Sequence, residues 1–363
     1  MRVAVVGTGY VGVVTSVCLG HLGHTVCGLD IDAGRIERLA SGRLPFYEAG
    51  VEPLLRDLVG AGALRFTTHP EEAIPDADVV FLCVGTPGLP DGRVDLTALE
   101  SAARCVGQHL GPHYTVIATK STVPVGSGDW VGELVRAGMR SHAERLAGVG
   151  GRATLPAKPP FDVVSNPEFL REGTALRDAM YPDRIVLGGD SPRALQVMEA
   201  LYDRLARRDF PHLVPDPPRD PVPVLVTDRT SAELLKYAAN AFLATKISFI
   251  NEIAGICERV GADVRQVAAG IGLDPRIGSS FLNAGIGWGG SCFPKDLSAL
   301  IRIAGDYGQP CVLLESAAAV NRAQRLIVVR KLQERLKTLQ GKRIALWGLA
   351  FKPGTDDLRD APP

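Results

Sequence analysis

The sequence has no excess of either charge and no long hydrophobic run. Its 363 residues carry 40 Lys and Arg against 40 Asp and Glu, so the formal net charge is zero. A neutral chain gives no electrostatic reason to expect nucleic acid or an anionic membrane as a partner, and its apolar runs are too short to span a bilayer. The start, MRVAVVGTGY, predicts a strand rather than a signal peptide, which favours a cytoplasmic protein.

Paired cysteines are also missing. The seven cysteines are scattered, and none forms a Cys-x-x-Cys pair, which argues against thioredoxin-like and zinc-ribbon sites. We therefore expect no metal. An odd, scattered set without a signal peptide indicates reduced thiols, most of them small buried residues. Cys83 and Cys257 fit that description because they lie within apolar patterns.

Short apolar runs alternate with helical patterns over residues 1 to about 200. They include RVAVVG, HTVCGLD, DADVVFLCVGTP and YTVIATKSTVP. Continuous apolar strands separated by helices are typical of a parallel sheet covered on both faces. The sequence predicts an α/β fold with an N-terminal doubly wound parallel sheet. Two segments rich in Gly or Pro, Gly148–Pro160 and Val214–Val224, are predicted to be loops.

A long helix is predicted after the second of these loops. SAELLKYAANAFLATKISFINEIAGICERVGAD contains no proline and has apolar residues at helical spacing. We expect it to be buried on several sides in a central helical domain, where it could also form a dimer seam. Near the end, KRIALWG repeats the pattern of MRVAVVG, which predicts the first strand and turn of a second, truncated domain of the same kind.

GTGYVG has the spacing of a dinucleotide-binding turn. It follows a predicted strand, opens a helix, and is followed by a second strand that ends at Asp30. Gly7 makes the turn, Gly9 lets backbone N–H groups approach the pyrophosphate, and Gly12 lets the helix pack on the sheet. A carboxylate at position 30 bonds ribose hydroxyls and repels a 2′-phosphate. The sequence thus predicts a Rossmann-type NAD site, although Arg35 weakens the preference over NADP.

Four charged or amide residues are candidates for chemistry. Lys236 and Asn240 lie four residues apart in the long helix and so share one face. Lys236 is either a surface lysine that reaches solvent, or it forms with Asn240 a hydrogen-bonding pair directed at a cleft, as an alcohol dehydrogenase needs. Glu168 and Glu172 follow Asn-Pro after an apolar run. They suit either a solvated face or a loop beside the cofactor.

Cys292 lies in the loop GIGWGGSCFPKD, after Gly287, Gly289 and Gly290 and before the Lys295-Asp296 pair. A lone cysteine is often an inert packing residue, whereas glycines permit close approach of a ligand and a nearby cation favours the reactive thiolate. From the residues alone, packing and nucleophilic catalysis both stay open. Thr86 and Thr122 end two predicted strands, so we expect them at the ligand-binding edge of the sheet.

Five segments resemble the UDP-glucose/GDP-mannose dehydrogenase family. They are GTGYVG, NPEFLREGTA, AELLKYAANAFLATKISFINEIA, FLNAGIGWGGSCFPKD and FKPGTDDLRDAP. PDRIVLG and KYAANAFLATKISFINE resemble the UDP-glucose branch more than the GDP-mannose branch. The resemblance implies an NAD-dependent, four-electron oxidation at C6 of a nucleotide sugar, UDP-glucose to UDP-glucuronate. In it, a cysteine captures the aldehyde as a thiohemiacetal, which is oxidised to a thioester and hydrolysed.

The resemblance also implies residue roles. The nucleophile matches Cys292, the stabiliser of negative charge on oxygen matches Lys236, and the hydrogen-bonding partner of that lysine matches Asn240. Asp296 matches the acid associated with activation of the lysine and of water, and Thr122 and Glu168 match residues that organise water. Cofactor contacts match Val11, Asp30, Arg35, Thr86, Thr122, Glu172, Lys295 and Arg359, besides the three glycines of the turn. Substrate contacts match Glu168, Phe169, Leu170, Arg171, Glu172, Lys236, Asn240, Phe281, Leu282, Asn283, Ala284, Gly285, Gly289, Lys352 and Arg276. In the family the last of these reaches the neighbouring subunit's site, so a homodimer or larger homo-oligomer is implied.

Four parts of the chain are expected on this basis. Residues 1–212 form the NAD-binding domain, 213–225 a proline-rich linker, 226–330 the central helical and dimerisation domain with the cysteine loop, and 331–363 the incomplete start of a C-terminal nucleotide-sugar-binding domain. The chain departs from the family pattern at Arg35, where Lys is usual, at Trp288, where Phe or Tyr is usual, and in the two loops rich in Gly or Pro.

Three alternatives stay open at this point. The same chemistry could act on GDP-mannose or another nucleotide sugar. A two-electron hydroxyacid dehydrogenase could use Lys236 and Asn240 with a structural Cys292. The chain could also be an NAD-binding dimerisation module without activity.

Overall fold

The computed structural model describes residues 1–148, 160–215 and 217–362. The chain divides into two compact units: Met1–Pro87 with Asp95–Lys236, and Gly88–Val94 with Tyr237–Pro363. The domain boundaries expected at residues 212, 225 and 330 stay predictions. Most of the predicted loop Gly148–Pro160, at residues 149–159, lies outside the described residues.

The first unit is built on a sheet of eight strands. They are β1 Arg2–Val6, β2 Thr25–Leu29, β3 Leu64–Thr67, β4 Val79–Leu82, β5 Thr115–Thr119, β6 Phe161–Ser165, β7 Ile185–Gly188 and β8 Val224–Thr227. Their spatial order is β3-β2-β1-β4-β5-β6-β7-β8. The pairings are parallel except that β6 and β7 meet in one antiparallel pair, Ser165 opposite Gly188.

Helices connect the strands and cover both faces of the sheet. They are α1 Tyr10–His21, α2 Ala33–Ala40, α3 Val51–Gly60, α4 Pro70–Ala73, α5 Thr97–His109, α6 Ser127–Gly148, α7 Ala175–Met180 and α8 Pro192–Ala206. Val3 and Val5 of β1 share a buried cluster with side chains of α1, α3 and α8, whereas Ala4 and Val6 share another with side chains of α5 and α6. Burial on both faces explains why the strands are continuous apolar runs. The predicted doubly wound α/β fold is confirmed.

The sheet continues past the proline-dense loop. β8 begins at Val224, the last residue of that loop, and pairs with β7 from Ile185↔Val224 to Gly188↔Thr227. This edge strand was not predicted because four residues that follow several prolines carry too short a pattern to recognise.

The long helix is α9, Arg229–Val260, with 32 residues. Its length and position confirm the prediction from apolar spacing. The expectation that it is buried on several sides is wrong in part, because Phe242 and Phe249 are 66% and 51% exposed.

The second unit is helical. Besides the part of α9 from Tyr237 onward, it contains α10 Val264–Gly272, α11 Phe293–Asp306 and α12 Val312–Leu336. Its small buried core includes Trp288 and Leu297. The Trp288 indole N–H donates to Ser248 Oγ at 2.9 Å, and its backbone N–H donates to Asn321 Oδ1 at 2.8 Å. Across the described part of the chain, every helix is too short or too polar to cross a membrane.

The strand predicted for KRIALWG is not formed. Residues 342–349 have no regular secondary structure, and the side chains of Leu346 and Trp347 are 65% and 104% exposed. A strand is stabilised by hydrogen bonds from a neighbouring strand, and the described residues of the second unit supply none. The segment therefore keeps the apolar pattern of a strand without adopting its structure.

Candidate active site

The glycine-rich turn lies between β1 and α1. Gly7 has φ 92°, and a Cβ on Gly12 would lie 1.8 Å from the Gly7 carbonyl oxygen, so both positions require glycine. A Cβ on Gly9, by contrast, would have no described atom within 4 Å. That open space lies at the N-terminus of a twelve-residue helix, where backbone N–H groups attract phosphate. The turn therefore fits the pyrophosphate of NAD, and Val11 lies in the first turn of the same helix.

Asp30 follows β2 and is only 9% exposed. Its carboxylate accepts hydrogen bonds from the Thr8 backbone N–H at 2.7 Å and from Arg35 Nη1 at 3.0 Å. Burial raises the pKa of Asp30, but hydrogen bonds from Thr8 and Asp32 and the Arg35 charge outweigh burial and lower it. The carboxylate is thus held ionised, as an acceptor for ribose hydroxyls must be.

We expect Gly9→Ala to weaken NAD binding without weakening the fold. The added methyl group meets no described atom within 4 Å, yet it occupies the space where a pyrophosphate must approach the backbone. The dissociation constant for NAD should rise at least about 10-fold, while the unfolding midpoint stays within about 2 °C. Calorimetric titration and a thermal melt measure the two effects. Gly60→Ala, at another open position, is the control; a similar loss of NAD affinity there would contradict the assignment.

Lys236 of α9 forms a buried ion pair with Glu168, which we call the lysine–carboxylate pair. Lys236 Nζ donates to Glu168 Oε1 at 2.8 Å and to its carbonyl oxygen at 2.7 Å, and the side chains are 5% and 9% exposed. Burial raises the pKa of Glu168, but the Lys236 charge and hydrogen bonds from Lys236 and the Leu170 N–H outweigh burial and lower it. Neither residue lies on a solvated face.

The segment that carries Glu168 continues along predicted substrate residues. Two cations lie over the Phe169 ring, with Arg184 Cζ 3.9 Å and Lys236 Nζ 5.4 Å from its centroid. The exposed Arg171 forms a bidentate ion pair with Asp178. Phe169 is therefore packed against the catalytic candidate, whereas Arg171 is engaged elsewhere.

Glu48 links this segment to the glycine-rich turn. It is 4% exposed, and its carboxylate accepts the Tyr10 hydroxyl, the Gly173 N–H at 2.7 Å and the Ala175 N–H at 2.9 Å. Burial and the bond to Glu48 raise the pKa of Tyr10, and the charge of Glu172 adds to the effect. One carboxylate thus anchors the first residue of α1 and the residues that follow Glu172.

Thr86 and Thr122 meet at the carboxyl ends of β4 and β5. Thr86 Oγ1 donates to the Thr122 carbonyl oxygen at 2.8 Å. A small pocket at this edge is lined by Thr122 and Lys236, among others. Glu233, one turn before Lys236 on α9, also lines it and accepts the N–H groups of Gly126 and Gly128 at 2.6 and 2.9 Å. Burial raises the pKa of Glu233.

In the second unit, Cys292 is the half-buried residue that immediately precedes α11. Its carbonyl oxygen accepts the Asp296 N–H at 2.8 Å, the first hydrogen bond of that fourteen-residue helix. The N-terminus of a helix is a common position for reactive cysteines. Asp296, 1% exposed, accepts the Asn240 side-chain N–H at 2.6 Å and forms an ion pair with Lys295. The thiol therefore begins a helix whose first turn carries a fully engaged carboxylate.

The glycines before Cys292 pack against the chain itself. A Cβ on Gly289 would lie 2.1 Å from the Asp360 carbonyl oxygen, and one on Gly290 would lie 2.7 Å from the Phe351 ring. Both positions therefore require glycine because residues 351–360 lie close by, and the predicted approach of a ligand to this loop stays a prediction.

Four other cysteines are poor nucleophiles. Burial raises the pKa of Cys18 and Cys83 to about 12, that of Cys27 to about 11, and also that of Cys105. All seven cysteines are thiols. Cys83 and Cys257 are buried, as predicted from their apolar surroundings.

The other predicted ligand contacts of the second unit range from buried to highly exposed. Arg276 forms a bidentate ion pair with Asp274 and is 87% exposed. Arg359 does the same with Asp357. Phe281 lies 6.3 Å from Phe293, measured between ring centroids. Leu282 is buried, Asn283, Ala284 and Gly285 are exposed, and Lys352 lies over the Phe351 ring.

Three residues of the first unit were not predicted: Glu48, Lys120 and Glu233. Each had a weak signal, because each is a charge within an apolar context: FYEAGVEPLL, YTVIATK and SAELLKY. Single charges of this kind are usually surface residues, and only the fold shows that these are enclosed.

A dinucleotide turn at one end of a doubly wound sheet, with a buried lysine beside the same sheet edge, is typical of an NAD-dependent dehydrogenase. The NAD-binding domain of the UDP-glucose/GDP-mannose dehydrogenase family matches residues 1–206, and the central domain of that family matches residues 230–323. The chain therefore belongs to this family and is an NAD-dependent oxidoreductase, which confirms the predicted family and cofactor.

Individual relatives extend the comparison. The chain is 46% identical over 362 residues to UDP-glucose 6-dehydrogenase YwqF of Bacillus subtilis, a match covering 100% of this chain and 75% of the relative. A UDP-glucose dehydrogenase structure from Pyrobaculum islandicum has a TM-score of 0.87 at 40% identity, covering 99% of this chain and 77% of the other. A GDP-mannose dehydrogenase structure from Pseudomonas aeruginosa has a TM-score of 0.65 at 32% identity, and the match covers 100% of this chain and 77% of the other.

Proposed function

We propose that this protein oxidises UDP-glucose at C6 to UDP-glucuronate, using two NAD⁺ per sugar and a covalent intermediate on Cys292. The observation that carries the chemistry is the position of this half-buried thiol at the N-terminus of α11. The substrate is supported by similarity, since identity is 46% and 40% to two UDP-glucose dehydrogenases and 32% to the GDP-mannose enzyme.

The residues of the chain then take the following roles. NAD⁺, when bound at the turn and Asp30, supplies the hydride acceptor for each oxidation. Lys236 stabilises the negative charge that develops on the C6 oxygen, because its ammonium group is fixed and largely dry. The Cys292 thiolate adds to the aldehyde carbon, which prevents escape of the aldehyde and leads to a thioester. Asp296 and Asn240 bond each other beside the start of α11 and serve the activation of water.

The other assignments follow the family pattern position by position. Thr122 and Glu168 organise water. Thr86, Glu172, Lys295 and Arg359 contact the cofactor, and residues 168–172, 281–285, Gly289 and Lys352 contact the sugar nucleotide. All seven cysteines are thiols, and free thiols persist in a reducing compartment, which is consistent with the predicted cytoplasmic location.

A turnover panel tests the proposed function. UDP-glucose, UDP-galactose, GDP-mannose and UDP-N-acetylhexosamines are each supplied with NAD⁺, and NADH and acid product are counted. We expect UDP-glucose to be preferred and two NADH to form per sugar. One NADH per sugar would exclude the thioester route, preferred turnover of GDP-mannose would exclude the substrate, and NAD binding without turnover of any sugar would indicate a silent module.

We further propose that the protein forms a homodimer through α9. An apolar stripe of Phe242, Phe249, Ile256 and Val260 is 66%, 51%, 51% and 70% exposed along this helix. Spacings of seven, seven and four residues keep the stripe on one side of the helix, as in a helix–helix seam. A second copy would bury it, and Arg276 would then serve the neighbouring subunit's site, as the family pattern implies.

Phe249→Glu is expected to convert the dimer to a monomer. A carboxylate in the centre of an apolar seam is buried without a partner, which costs several times the thermal energy. Light scattering on a sizing column measures the mass at low micromolar concentration. Arg265→Glu, a larger charge change on the exposed side of α10, is the control. An unchanged mass for Phe249→Glu would place the interface elsewhere.

A further inference from the structure

Two lysines bond the same short segment of the first unit. Lys236 bonds Glu168, at the end of the segment, and Lys120 bonds Asn166, at its start. Pro167 lies between them and restricts the backbone. The role of Lys120 is not explained by the family assignments, although it directly follows β5, where ligands are expected in a parallel sheet.

Lys120 is enclosed by several elements. Its ammonium group donates to Asn166 Oδ1 at 2.9 Å and lies 5.6 Å from the Phe81 ring centroid and 6.0 Å from that of Tyr202. Tyr202 donates its hydroxyl to the same Asn166 Oδ1 at 2.7 Å, and Asn166 Nδ2 donates to the Val186 carbonyl oxygen at 2.9 Å. The aromatic faces and the amide oxygen together suit a cation. Asn166 is thereby fixed from β5, β7 and α8.

Charge connects Lys120 to the lysine–carboxylate pair. The titratable groups that act on its charge or bond it are Cys18, Cys83, Glu168, Tyr202 and Lys236. Burial lowers the pKa of Lys120, as does the Lys236 charge, whereas Glu168 opposes the shift. The Lys120 charge in turn contributes to the lowered pKa of Glu168.

We propose that Lys120 is a positioning residue of the active site: it fixes the Asn166–Glu168 segment and adds a positive charge beside the lysine–carboxylate pair. The first effect orients the two oxygen atoms of Glu168 that accept from Lys236. The second favours the ionised form of Glu168, because a nearby cation attracts a carboxylate. The inference deepens the proposed function and rests on it.

Lys120→Met tests this inference because methionine has similar length and no charge. Removing the charge favours protonation of Glu168, so the pH profile of kcat should move to higher pH by about half a unit or more. We expect kcat at the optimum to fall about 10-fold from the looser segment, with KM for NAD changed less than about 3-fold. A residue that merely supported the fold would lower kcat without moving the profile.

Stability gives a readout that is independent of turnover. The folded pKa of Glu168 is lowered, so its ionised form stabilises the fold above the unfolded pKa of about 4.3, and this contribution is lost as the pH falls through the folded value. In Lys120→Met the folded value rises, so acid unfolding should begin at a higher pH. Thermal melts between pH 3 and pH 7, as a rough working range, measure this shift.

Two further variants complete the test. Tyr202→Phe removes the other hydrogen bond to Asn166 without changing charge, and we expect it to leave both pH dependences in place. Asn166→Asp places a carboxylate against the Lys120 ammonium group and should move them in the same direction as Lys120→Met, so it carries the test if Lys120→Met does not fold. The inference is overturned if a folded variant shows the same pH profile of kcat and the same pH dependence of unfolding as the unchanged protein, provided that the unchanged protein turns over UDP-glucose. Absence of that turnover would instead refute the proposed function.

Discussion

Replacement of Cys292 by alanine is expected to reduce formation of UDP-glucuronate by about 10³-fold or more, because the proposed reaction passes through a covalent intermediate on this thiol. Without the thiol, the aldehyde formed by the first oxidation has no nucleophile to capture it. NADH should then form at no more than one per sugar, and the aldehyde should be recoverable as a hydrazone. Chromatography of the nucleotide products measures acid and aldehyde together.

Cys311→Ala is the matched control for this variant. Cys311 is also half-buried and also precedes a helix, α12, in the same unit. We expect it to keep full turnover and two NADH per sugar. Retention of full acid formation by Cys292→Ala would mean that the thiol is structural and that the oxidation follows another route.

Replacement of Lys236 by methionine should damage catalysis and stability together. Loss of a fixed donor to a developing oxyanion typically lowers kcat about 10²- to 10³-fold. The change also leaves the Glu168 carboxylate, 9% exposed, without its cation, which costs about 3–5 kcal/mol of unfolding free energy. Steady-state kinetics and urea unfolding measure the two losses.

The double variant Lys236→Met, Glu168→Gln separates these effects. With no charge left to compensate, the unfolding free energy should recover to within about 2 kcal/mol of the unchanged protein, whereas turnover should stay lost. Arg104→Met, which breaks the exposed α5 ion pair with Glu100, should cost less than about 1 kcal/mol. Recovery of turnover in the double variant would show that Lys236 acts only on stability.

The fold of the first unit was largely predictable because its strands are buried on both faces. Burial of that kind requires uninterrupted apolar runs such as VVFL of β4, and these are visible without any structure. β8 was missed because it is a short edge strand, and edges impose weaker demands on sequence. The strand expected at KRIALWG is not formed, although its apolar pattern is that of a strand. A strand also needs a neighbouring strand to bond, and a local pattern does not show whether one is present.

The candidate site was predictable where a backbone requirement fixes the residue type. Gly7 and Gly12 could be read from spacing because any side chain would clash there. The partners of charged side chains could not be read. Spacing on one helix predicted that Lys236 and Asn240 share a face, but the structure pairs Lys236 with Glu168 and Asn240 with Asp296. Such pairings arise between segments far apart in the chain, which local patterns do not encode.

Glu48 has a consequence for the entropy of ligand binding. Its carboxylate connects Tyr10, directly after the pyrophosphate turn, with the backbone that follows Glu172. Because both segments are tied to one buried group, their relative geometry is set when the first unit folds rather than when ligands arrive. Ordering of these loops is then part of the folding free energy, and less rotational freedom is lost on binding. Within this unit, the structure favours a rigid, preorganised receptor over one that closes around its ligands.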